Sequence, residues 1–71
     1  MKLKVRSVMV ENEWGNVPVF ILAEFIPKAT FKDLLRRGVI YKETDYNSRK
    51  GFVWAVSEEK AKMNNIELEE I

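Results

Sequence analysis

Lys32 and Arg36 stand four residues apart, the spacing that brings two side chains to one face of a helix. Downstream, Tyr46, Arg49 and Lys50 share a stretch rich in turn formers. Cations interleaved with an aromatic ring are the residue types that grip phosphates and stack a base. These five residues form the candidate nucleic-acid-binding set. The plainer account is a solvated charged surface of the kind any soluble chain carries. Trp14 is a second candidate, for contact with a protein partner. It lies in the polar segment 11–16, where an indole either folds back over the open end of the core or stays exposed. The general burial of tryptophan makes folding back the expectation.

The residues that are missing exclude more than the residues present allow. The chain has no His and no Cys. That removes disulfide scaffolds, thiolate and imidazole metal sites, cysteine nucleophiles and every His-dependent triad. The serines are Ser7, Ser48 and Ser57, and none has a general base nearby in sequence. Ser48 with Lys50 is a pairing that short chains carry by chance. The run Asp45-Tyr46-Asn47 imitates the start of a calcium loop, but Arg49 replaces an oxygen ligand and Val56 stands where the bidentate Glu belongs. Glu67, Glu69 and Glu70 read as a solvated strand face that discourages edge pairing, not as a divalent-ion site. Gly15, Gly38 and Gly51 are isolated, so no phosphate-cradling loop exists. No cofactor, no metal and no catalytic residue is expected, and the chain reads as a binding module.

Charge is distributed unevenly although the net is only +1. Residues 28–51 hold seven basic and three acidic side chains, whereas residues 52–71 hold two basic and five acidic. The basic middle contains the phosphate-binding candidates. Arg37, four from Asp33, is expected to pair within the helix.

The elements that must position these residues are legible from periodicity and punctuation. The 71 residues allow one domain, residues 1–71, with 46% hydrophobic content and eight aromatics to build a core. Lys2 to Val10 alternates as a strand, residues 11–16 make a loop, and Val17 to Ile26 returns as a strand apolar on both faces. Such a strand belongs inside a sheet that is covered on both sides. Pro27 ends it. Thr30 is the expected N-cap of a short helix, with Phe31, Leu34 and Leu35 as its apolar stripe and Gly38 just past its end. Val39 to Thr44 and Phe52 to Val56 read as strands around a loop at 45–51. Ser57 caps a second helix that ends at Asn64 or Asn65, and residues 66–69 alternate as a last strand.

The order ββαββαβ predicts an α+β domain: a small single-layer mixed or antiparallel sheet carrying two short helices. The last strand is expected to run parallel to a neighbour after its helix, with an antiparallel edge position as the other arrangement. A small, partly open β-barrel is the architectural alternative. The functional expectation is a small non-catalytic binding module or regulator that contacts nucleic-acid phosphates through the basic middle. The alternative is a protein–protein interaction module, such as a small inhibitor or adaptor, using Trp14 or an open sheet edge. Homodimerisation is an expectation common to small chains. The longest apolar run is too short for a membrane span and the first ten residues lack an export-signal pattern, so the cytoplasm is the expected compartment.

Overall fold

The alternation that begins at Lys2 continues further than expected. In the structure, a computed structural model describing residues 1–71, β1 spans Lys2–Asn12 and β2 spans Gly15–Leu22. The loop expected over residues 11–16 is a tight turn, because Glu11 pairs with Asn16 and Asn12 with Gly15. Gly15 adopts φ +95°, and the left-handed residue after two ordinary turn residues lets both strands reach the turn. The Asn12 Oδ1 accepts the Trp14 N–H at 2.9 Å and fixes that turn.

The remaining elements are α1 (Lys28–Arg36), β3 (Ile40–Thr44), β4 (Phe52–Val56), α2 (Glu58–Met63) and β5 (Glu67–Glu70). The order ββαββαβ is as read from the sequence. The five strands form one mixed sheet in the order β3-β4-β2-β1-β5. All pairings are antiparallel except β1 with β5, which is parallel. No helix is long and apolar enough to cross a membrane.

Both helices cover one face. Leu34 of α1 and Ala61 of α2 pack in a single buried cluster with Leu3, Val5, Val39, Ile40, Val56 and Ile66. The pairings Ser7↔Phe20, Phe20↔Val56 and Val56↔Ile40 identify that face across four strands. Both helices also end alike. Beyond α1, Gly38 has φ +78° and the Val39 N–H reaches back to the Leu34 carbonyl at 2.9 Å. Beyond α2, Asn65 has φ 57° and the Ile66 N–H reaches the Ala61 carbonyl at 2.8 Å. Each is a Schellman closure, and each sends the chain straight into the next strand.

The other face is covered without a helix. Val10 and Ala55 lie on it and are fully buried, 0% exposed. The register gives the reason. Asn16, the partner of Glu11, lies eight positions along β2 from the level of Phe52, about 27 Å in a flat sheet. Yet the Tyr46 N–H, in the turn before β4, donates to the Glu11 carbonyl at 2.8 Å. The Asp45 Oδ1 accepts the Glu11 N–H at 3.2 Å in return. The sheet must coil for these groups to meet, and the coil encloses Val10 and Ala55. The sheet is not closed into a barrel. The contact at Glu11 is a clasp made by two hydrogen bonds.

Two local expectations are corrected. Pro27, not Thr30, occupies the N-cap position of α1, and no side chain caps that end. Proline presets the backbone for a helix start and removes one donor that would need a partner. Asp33 is thereby left to pair with Arg36 and Arg37. Strand β2 stops at Leu22, not Ile26. The Glu24 carboxylate turns back to accept the Lys4 N–H, so the chain leaves the sheet and Phe25 stands 97% exposed. By contrast, Ser57 caps α2 as expected, its Oγ accepting the Lys60 N–H at 3.2 Å.

Replacing Gly38 by Ala tests the closure of α1. A Cβ there meets nothing closer than the Lys60 side chain at 3.8 Å, so the cost is purely conformational. Chemical denaturation of Gly38→Ala is expected to show a loss of about 1 kcal/mol.

Candidate functional site

Residues that meet at the clasp end of the sheet form a site that the sequence presents only in pieces. The β1–β2 turn contributes Asn12, Glu13 and Trp14; the end of β3 and the turn after it contribute Glu43, Thr44 and Tyr46. These six line a recess of about 170 Å³. Trp14 is 81% exposed and Tyr46 is 60% exposed. The expectation that Trp14 folds back over the core is therefore overturned. The two-residue turn is too tight to return the indole to the sheet, and the coiled strands bury Val10 without it.

The clasp and the loop hold Tyr46 in place. Asp45 Oδ1 accepts the Asn47 N–H at 3.1 Å as well as the Glu11 N–H, and the Asp45 carbonyl accepts the Ser48 N–H at 3.0 Å. The Ser48 Oγ donates to the Phe52 carbonyl at 2.8 Å. Asp45, which opens the stretch resembling a calcium loop, spends its carboxylate on backbone donors. No cluster of three or more acidic residues has the geometry to hold a metal ion.

The recess is acidic. Glu13 and Glu43 line it, and neither takes part in an ion pair. Asn12 is 9% exposed, yet only its Oδ1 finds a protein partner. Its Nδ2 retains accessible surface and has no protein partner. On the same sheet face as Glu43, Tyr41 is half-buried. Burial, reinforced by the Glu43 charge, raises its phenol above the ordinary 10.0.

Within the expected phosphate-binding set, Lys32 and Arg36 line one hollow and Tyr46 lines another. Lys32 and Arg36 share a shallow hollow on α1 with Ala29 and Asp33. Arg36 is engaged there by Asp33, which also holds Arg37 at 3.1 Å. The pairing of Arg37 was expected and that of Arg36 was not. These two guanidinium groups keep the Asp33 carboxyl below its ordinary value, hydrogen bonding from Arg36 being the larger cause. Arg49 and Lys50 are exposed in the loop without ion pairs, whereas Tyr46 faces the acidic recess. Lys42, absent from the expected set, lies 4.6 Å from the Phe52 ring centre and 5.6 Å from that of Trp54. Trp54 meets Phe31 and Phe52 edge to face, at 5.0 and 5.3 Å. This half-buried aromatic row packs beside the core.

Sequence reasoning missed Asn12, Glu13 and Glu43, which lie 31 residues apart from Asn12 to Glu43 and meet through the coil. It also placed Phe25 inside the sheet, where the structure exposes it beside an apolar hollow formed by Leu22, Ile26 and Phe31.

Because the fold keeps Tyr41 neutral, its unfolded phenol ionises first as the pH rises. The stability from that burial is complete below about pH 10 and is lost as the pH climbs through the raised folded value. Denaturation midpoints across this range are expected to fall more steeply for the native chain than for Tyr41→Phe.

A scan against protein-family models, a search of curated proteins and a search of solved structures each give no match to this chain.

Proposed function

We propose that this chain is a small non-catalytic protein-interaction module that docks through the end of the sheet carrying Trp14. The observation that carries the reading is the 81% exposure of Trp14 on a turn fixed by Asn12, beside a second exposed aromatic, Tyr46. An indole left in water forgoes a large burial gain, and rigid aromatic anchors are the side chains that contribute most when a partner covers them. The turn is held in advance, so little ordering cost is added on docking. In this reading the module is cytoplasmic and works by occupying or tethering its partner.

Contact with nucleic-acid phosphates is the second reading. It draws on the exposure of Lys32, Arg49 and Lys50, none of which forms an ion pair. The Asp33–Arg36 pair and the acidic setting of Tyr46 weigh against it.

A photo-crosslinking amino acid placed at position 14, with the exposed Met63 on α2 as the control site, separates these readings. The expected result is a discrete protein adduct from position 14 and none from position 63. Excess native chain should compete it away, and excess Trp14→Ala should not. Adducts that nuclease removes, with binding that weakens steeply between about 50 and 200 mM salt, would replace the protein reading with the phosphate one. An adduct of twice the chain mass would make the partner a second copy.

A further inference from the structure

We infer that the recess between Trp14 and Tyr46 receives an arginine side chain of the docking partner. This rests on the protein-interaction reading and specifies its chemistry. Three independent features of the recess point to a cation with a planar face and a neighbouring carbonyl.

The first is the aromatic pair. Trp14 and Tyr46 line one recess and are both exposed, and an aromatic face attracts a cation through its quadrupole, with Trp the strongest. The second is charge. Glu13 and Glu43 line the same recess without an ion pair. Glu43 is half-buried, so its charge is less screened by water than that of a fully exposed carboxylate. The third is Asn12. It lines the recess and is nine-tenths buried, its Oδ1 is committed to the Trp14 N–H, and its Nδ2 keeps accessible surface without a protein partner. A donor in an acidic recess serves an acceptor that travels with the cation, and the backbone carbonyl of a peptide is such an acceptor.

Arginine meets these features better than lysine. A guanidinium stacks on an aromatic plane and donates two parallel hydrogen bonds to one carboxylate, and it loses less hydration than an ammonium when covered. A recess of about 170 Å³ suits one such side chain rather than a folded ligand or a nucleotide.

The test is a titration of the isotope-labelled full chain with Ac-Gly-Arg-Gly-NH2, followed by NMR at the Trp14 indole N–H, the Tyr46 amide and the Asn12 side-chain amide. The control peptide carries citrulline, which has the shape of arginine without its charge. The arginine peptide is expected to shift all three signals with a Kd of about 1 mM or tighter. The citrulline peptide should bind at least about fivefold more weakly. Trp14→Ala and the double variant Glu13→Gln, Glu43→Gln should each weaken the arginine peptide by a similar factor. Trp14→Ala removes an exposed side chain, and unchanged signals elsewhere in its spectrum establish that the fold persists.

Equal shifts from both peptides would overturn the cationic assignment while leaving the Trp14 surface as a docking site. No shift from either peptide up to about 10 mM would overturn the recess as an arginine site. The crosslink from position 14 would then still decide separately whether that end of the sheet docks a protein. Shifts at the same signals from a short single-stranded oligonucleotide, and not from the arginine peptide, would overturn the proposal in favour of a nucleic-acid partner.

Discussion

Two hydrogen bonds hold the back of this sheet together. The Glu11 N–H and carbonyl bond to the Asp45 carboxylate and the Tyr46 N–H. In a flat sheet these groups would lie about 27 Å apart along the strand direction. Their meeting requires the long β1–β2 hairpin to coil across the face that carries no helix. Each bond contributes only about 1 kcal/mol net. The larger gain is the apolar surface that the coil covers, including Val10 and Ala55. A small chain without disulfides has few ways to cover both sides of a sheet, and here two short helices cover one side and the sheet's own curvature covers the other.

The same contact creates the candidate site. It brings the β1–β2 turn beside the turn after β3, so that Trp14, Tyr46, Glu13 and Glu43 share one recess. No single element could present them together. The loop of Tyr46 is stiffened internally by Asp45 and Ser48, and the turn of Trp14 by Asn12. The surface proposed for docking is therefore preorganised by the interactions that complete the fold.

Much of the architecture was legible because local signals agreed with the global one. Ser57, Gly38 and Asn65 stand where helices must start or stop, and strand alternation located each pairing segment. The strand apolar on both faces announced that both sides of the sheet are covered. Periodicity could not say that curvature, rather than a third layer, covers one of them. Local signals failed where another interaction outweighed them. Thr30 with Asp33 has the spacing of a cap, but Pro27 already sets the helix start and the two arginines claim Asp33. Phe25 continued the alternation, but Glu24 turns the chain out of the sheet to reach Lys4. The site was legible only as separate oddities, Trp14 in a polar turn and Tyr46 in a loop. Their proximity depends on a shear between strands that no spacing in the chain records.

Amide hydrogen exchange at Tyr46 measures the clasp most directly. Its N–H lies in a turn on an exposed residue, where an unbonded amide exchanges freely. With Glu11 as acceptor, it should exchange as slowly as the amides of the β1–β2 ladder and open together with them. Exchange at the rate of a solvent-facing loop amide, while the ladder stays protected, would mean that the sheet does not coil onto that turn and that Trp14 and Tyr46 are not held as neighbours.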